Sequence, residues 1–69
     1  MEKLGETIKF YRQKRGLTQP QLAELLGVSN GVISMWKNNV NEPNASYIKA
    51  LCSALSVSAD TLLGLTDND

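Results

Sequence analysis

The sequence predicts an all-α domain of five short helices, and three observations carry that prediction. Apolar residues recur at spacings of three and four along the chain, and no alternating run is long enough to argue for a strand. The periodic segments are punctuated by serine, threonine and asparagine at their starts and by glycine or asparagine at their ends, the residue types that cap helices. Sixty-nine residues with 42% hydrophobic content allow one small core, and there is no internal repeat, low-complexity stretch or linker to divide it.

The first helix is expected over residues 4–15, with Leu4, Ile8, Tyr11 and, less securely, Phe10 on its apolar side and Gly16 ending it. The second, over 19–26, starts at Thr18, and Gln21 three residues on completes a capping box. Pro20 falls in the first turn, where its missing N–H would have no helical partner anyway. Leu22, Ala23 and Leu26 form one stripe, and the small Ala23 lets a neighbouring helix come close. Gly27 follows as a left-handed terminator. Val28 tucks into the turn, Ser29 caps a third helix over 30–38, and Ile33 and Trp36 repeat at three residues on its buried side. Asn38 and Asn39 close that helix, Asn39 in a left-handed conformation. A loop over 40–44 contains Pro43, and Asn44 caps a fourth helix over 45–55 that carries Ile48, Leu51, Cys52 and Leu55 on one face. Ser58 opens a short fifth helix bearing Leu62 and Leu63, which stops at Gly64; the tail from Thr66 to Asp69 is expected to fray.

The second and third helices, joined by a tight turn at Gly27, make the pairing that lays the latter in a DNA major groove. The register Gly16-Leu17-Thr18-Gln19, Leu22-Ala23, Leu26-Gly27-Val28-Ser29, Ile33-Ser34 and Trp36 resembles the Cro/cI-type (XRE-type) helix-turn-helix family. The resemblance reaches upstream through Ile8 and Arg12. Downstream it takes in Pro43, Ile48, Leu51, Leu55-Ser56-Val57-Ser58 and Leu62-Leu63-Gly64, so that it covers about residues 8–64 of one domain over 1–69, with the helix-turn-helix at about 19–38. It implies a lambda-repressor-like fold and looks closest to the N-terminal DNA-binding domains of lambdoid phage repressors. The function it implies is sequence-specific transcription regulation, as a repressor that binds a pseudo-palindromic double-stranded operator as a homodimer. Those repressors continue into a self-cleaving, oligomerising domain that this sequence does not contain, so the chain is expected to be either a piece of a longer regulator or a compact one. The alternatives are an antitoxin that uses the domain for autoregulation, and an interaction module on this fold that has lost DNA binding.

Carried over residue by residue, the resemblance places Asn30, Gly31, Ser34 and Met35 against base edges. Asn30 is the strongest reader, because a carboxamide pairs bidentately with adenine N6 and N7; the alternative is a solvated polar residue at a helix start. Ser34 either bonds a base or phosphate or is merely exposed. Met35 either lies against a thymine methyl or is an adaptable exposed side chain. Gly31 reads no donor pattern but allows close approach, and Val32 is expected to be partly buried. Lys9, Arg12, Thr18, Gln19 and Asn38 are the phosphate candidates, with Gln19 at a helix start that attracts anions and also able to brace Asn30. After the tryptophan the family usually has an acid that pairs with the arginine of the first helix. Here that position is Lys37, so Arg12 either finds Glu42 or a phosphate, or the local structure is looser.

Composition narrows the remaining classes. With no histidine and one cysteine, the sequence offers no internal disulfide, no histidine-bearing zinc site and no His-based triad; no cofactor, small-molecule site or enzymatic constellation is evident. No apolar run approaches the roughly 20 residues of a membrane span and no signal-peptide pattern opens the chain, so a cytoplasmic protein is the simplest expectation. Seven basic and seven acidic residues cancel, against the usual basic footprint of nucleic-acid binders. Their distribution softens this: Lys3, Lys9, Arg12, Lys14 and Arg15 open the chain, while Asp60, Asp67 and Asp69 lie near its end. Trp36 and Tyr11 are expected in the core rather than as stacking platforms, Tyr47 is left open, and Cys52 is expected to be a buried, inert thiol. Val57, Leu62, Leu63 and Leu65 exceed what one short helix can bury, so Val57 and Leu65 are expected at a small two-fold contact completed on DNA.

Overall fold

Capping side chains set where the helices begin in the computed structural model, which describes residues 3–65. The order is α1 (Leu4–Lys14), α2 (Gln19–Leu26), α3 (Asn30–Lys37), α4 (Ala45–Leu55) and α5 (Ala59–Leu62), with no strand among the described residues. Thr18 and Gln21 form the expected capping box: Thr18 Oγ1 accepts from the Gln21 amide at 3.2 Å, and Gln21 Oε1 accepts from the Thr18 amide at 2.8 Å. Ser29, Asn44 and Ser58 accept from the amides of Val32, Tyr47 and Thr61 at 3.3, 3.0 and 3.1 Å. Each thereby offers an acceptor to a first-turn N–H, that of Val32 also reaching the Ser29 carbonyl at 3.1 Å.

The ends agree to within a residue. Gly27 closes α2 at φ 71°, and Asn39 sits at φ 59° past the end of α3. Ser56 is also left-handed, at φ 57°, although a serine there carries no sequence signal for it. Helices α1 and α3 stop at Lys14 and Lys37, one residue before the expected boundaries, and Arg15 and Asn38 serve as their C-caps. The tail from Thr66 to Asp69 lies outside the described residues.

One core joins all five helices: Leu4, Ile8 and Tyr11 of α1, Leu22 and Ala23 of α2, Ile33 and Trp36 of α3, Leu51 and Leu55 of α4, Leu62 of α5, and Val57 from the connection before α5. Leu26, Val28, Val32, Tyr47, Ile48, Cys52 and Leu63 pack partly buried against it. Two expectations are corrected. Phe10 is 58% exposed, because one residue step turns it away from the stripe that Tyr11 occupies; its ring instead meets Tyr11 edge-on at 5.0 Å, with Lys14 Nζ 5.9 Å from its centroid. Val57 is buried: the left-handed Ser56 turns the chain inward, the Val57 amide donates to the Cys52 carbonyl at 3.1 Å, and the side chain has no face left for a second subunit.

Three contacts hold α1 against the rest. A Cβ built at Gly5 would collide with the carbonyl oxygens of Trp36 and Lys37, so the absence of a side chain there sets how closely α1 crosses the end of α3. Lys3 gives α1 no side-chain cap; the Gly5 amide donates instead to Asn39 Oδ1 at 3.1 Å, tying the start of α1 to the exit of α3. At the other end, Arg15 donates from Nε to the Leu55 carbonyl and from Nη2 to that of Ser56, satisfying acceptors left over at the end of α4. No helix among the described residues is long and apolar enough to cross a membrane.

Candidate nucleic-acid interface

The starts of α2 and α3 meet on the surface. Gln19 Nε2 donates to Asn30 Oδ1 at 3.1 Å and reaches the Asn30 carbonyl oxygen at 3.5 Å. Gln19 is half-buried and Asn30 exposed, so a partly anchored amide holds a free one. A carboxamide oxygen has two lone pairs and its nitrogen two protons. Gln19 uses one lone pair, which leaves Asn30 one acceptor site and both donors, the complement that a bidentate pair with adenine requires. The amide is thus held in one orientation, and less side-chain freedom would remain to be lost to a ligand.

The rest of the outward face of α3 follows from the helical repeat that buries Ile33 and Trp36. Gly31 is exposed, and a Cβ there would find nothing nearer than Ser29 Oγ at 3.7 Å. Ser34 is half-buried, and its Oγ accepts from Asn38 Nδ2 at 3.5 Å. Met35 is 37% exposed, and its sulfur lies 3.9 Å from Asn41 Nδ2. Val32 packs partly buried against the core, as expected.

Among the phosphate candidates, Lys9, Thr18 and Asn38 are exposed. Arg12 is half-buried and donates from Nη1 to the Leu17 carbonyl at 2.7 Å. This bond, across the connection between α1 and α2, answers the missing acid at position 37: the guanidinium is anchored by a backbone oxygen while its other N–H groups keep their donor capacity. Arg15, counted in the sequence with the basic N-terminal cluster, is committed to the end of α4. Sequence reasoning missed Asn41, which bonds the sulfur of Met35, and the second role of Asn39 as acceptor for α1. Asn39 carried a sequence signal for its backbone alone.

The stacking alternatives lose their surface. Trp36 and Tyr11 are buried, and Tyr47 is half-buried with its ring 5.4 Å from that of Trp36. Cys52 is half-buried rather than fully buried, and desolvation still pushes its thiol above the ordinary value, which keeps it protonated and weakly nucleophilic near neutral pH. Leu65 is 73% exposed.

Comparison with known proteins matches the same elements. The model of the Helix-turn-helix family matches residues 8–62. Repressor protein C2 of Salmonella phage P22 is 42% identical over 60 residues, which are 87% of this chain and 28% of the repressor. A crystal structure of the P22 c2 repressor protein in complex with a synthetic operator superimposes with a TM-score of 0.80 at 41% identity, covering 86% of this chain and 89% of that one. SinR, a master regulator for biofilm formation, in complex with DNA, superimposes with a TM-score of 0.81 at 33% identity, covering 87% and 97%. Antitoxin PezA of Streptococcus pneumoniae is 28% identical over 61 residues, 39% of its length. The chain thus spans less than half of either of these two curated relatives.

Proposed function

Since the chain belongs to the helix-turn-helix family whose model matches its residues 8–62, we propose that it is a sequence-specific double-stranded-DNA-binding transcription regulator, acting as a repressor on a pseudo-palindromic operator. The observation that carries this reading is the Gln19–Asn30 bond at the exposed junction of α2 and α3, in a chain that superimposes on two proteins solved with DNA. In this reading α3 enters the major groove. Asn30 pairs with a base, and Gly31 allows close approach. Ser34 and Met35 meet the neighbouring edges, and Lys9, Arg12, Thr18, Gln19 and Asn38 contact phosphates and fix the register. A helix of eight residues reads too few base pairs alone, so two copies act together, with Leu65 supplying the apolar contact between them. The antitoxin alternative has the weaker support, since the antitoxin matched is less similar to this chain than the phage repressor.

Selection of bound duplexes from a random pool tests the proposal. The expected outcome is an enriched inverted repeat whose half-site centres lie about 34 Å apart on one face of the DNA. A pool that stays unenriched after repeated rounds would favour the interaction module instead.

A further inference from the structure

We propose that the Asn30–Gly31 peptide is a site of spontaneous deamidation, and that the acid it forms switches off the reading face of α3. The chemistry stands on the local structure alone; its consequence for DNA rests on the reading of Asn30 as a base contact.

Asn30 is the only asparagine in the sequence that is followed by glycine. Asn38, Asn39, Asn41, Asn44 and Asn68 are followed by Asn39, Val40, Glu42, Ala45 and Asp69, whose side chains shield the next amide nitrogen. Asn30 and Gly31 are both exposed, and the space that a Cβ at Gly31 would occupy is open out to Ser29 Oγ at 3.7 Å. The Gly31 amide is the attacking atom, and the helix does not hold it. Gly31 is the second residue of α3, where an N–H has no carbonyl a turn earlier, and the Ser29 cap is committed to the Val32 amide. The bond from Gln19 Nε2 to Asn30 Oδ1 withdraws electron density from Cγ, the atom to be attacked.

The steps balance with water alone. Hydroxide takes the Gly31 amide proton, the nitrogen attacks Asn30 Cγ, and an N–Cγ bond forms. The Cγ–Nδ2 bond breaks and ammonia leaves with a proton from solvent, giving a five-membered succinimide. One water then opens the ring: attack at Cγ gives aspartate, and attack at the backbone carbonyl carbon gives isoaspartate, with the main chain rerouted through the side chain. The helical backbone at Asn30 keeps the two atoms off this path, so the reaction proceeds from openings of the first turn of α3. Glycine at position 31 lowers the helix preference of that turn and so favours those openings relative to alanine.

The aspartate product sits at a helix start, where the dipole favours negative charge, so the fold survives. Its function does not: an ionised carboxylate only accepts hydrogen bonds, so it faces adenine N7 with no donor and faces the phosphates with repulsion. Isoaspartate lengthens the main chain by one atom and displaces Gly31 and the cap. Each copy therefore carries a clock that runs while it is free in solution and slows when DNA holds the first turn of α3 closed.

The test uses the whole chain aged at mildly alkaline pH with and without the duplex enriched in the selection. Trypsin cleaves after Arg15 and Lys37, releasing residues 16–37, in which Asn30 is the only asparagine. This peptide is expected to gain the mass of amide-to-acid exchange before any other asparagine does, and more slowly in Gly31→Ala, which leaves the fold intact because its methyl meets open space. Bound duplex is expected to slow the reaction as well. Asn30→Asp is expected to lose at least about tenfold in duplex affinity, the lower part of what one bidentate base pair contributes. An unchanged 16–37 peptide while other asparagines react, or equal rates in Gly31→Ala, would overturn the modification site. Normal affinity of Asn30→Asp would overturn the switch and the base-contact reading while leaving the mass-spectrometric result standing. Since the mass readout needs no DNA, the two failures remain distinguishable.

Discussion

At the residue scale, the informative feature is an exposed amide that is already held. Asn30 keeps one acceptor site and both donors because Gln19 has taken the other lone pair of its oxygen; in the proposed reading these meet adenine. Two substitutions separate reading from holding. Asn30→Ala is expected to cost about 1–3 kcal/mol at its own base pair and to relax preference there, with little change at other positions of the site. Gln19→Ala is expected to produce a smaller positional loss at the same base pair, because it frees Asn30 without deleting it, together with a uniform loss from its own phosphate contact. Both are measured by titrating a panel of duplexes that differ at single positions. A uniform loss across the panel for Asn30→Ala would make that residue a phosphate contact.

At the scale of elements, α3 is held at both its ends as well as by Ile33 and Trp36 in the core. Its start is capped by Ser29 and braced through Asn30; its exit is pressed against Gly5 and tied to α1 through Asn39. Gly5 tests this. In an isolated helix, alanine would be better than glycine by about 1 kcal/mol. Here the added methyl meets two backbone carbonyl oxygens that cannot rotate away, and overpacking costs typically about 1–3 kcal/mol. The steric loss wins, so Gly5→Ala is expected to lower the urea midpoint, whereas propensity alone would raise it. Trp36, on the same crossing, fills the core beside Tyr47. Trp36→Ala is expected to cost about 3–5 kcal/mol, which a chain of this size cannot lose and remain mostly folded. A variant melting near the parent temperature would contradict the core assignment.

At the scale of the whole molecule, a net charge of zero has to be reconciled with the polyanionic partner proposed for it. The balance is uneven along the chain, and local field rather than total charge is what phosphates meet. Two copies contacting about six to eight phosphates are expected to give a log–log salt slope of roughly −5 to −7 in binding titrations. A slope near zero would leave little of the electrostatic reading. In the proposed dimer the contact falls to Leu65, since Val57 belongs to the core. Leu65→Glu is expected to abolish cooperative filling of two half-sites while leaving folding and single half-site binding unchanged. Retained cooperativity would move the contact elsewhere on the surface.

Local sequence chemistry is enough to set the helices, the starts of α2 to α5 and the face of α3 that points outward. These depend on short-range chemistry: Thr18 and Gln21 find each other within one turn, Ser29 reaches an amide three residues away, and Ile33 and Trp36 set the orientation of the residues between and beside them. Long-range partners were decided by tertiary structure alone. That Arg15 would bind carbonyls some forty residues later and that Asn39 would serve α1 as well as α3 depend on where helices cross. No periodicity encodes these contacts. The burial of Val57 has the same origin: an apolar residue after a helix points in or out according to one backbone angle at Ser56, and serine does not announce a left-handed turn. Local patterns fix which groups need partners, and packing chooses which partners they get.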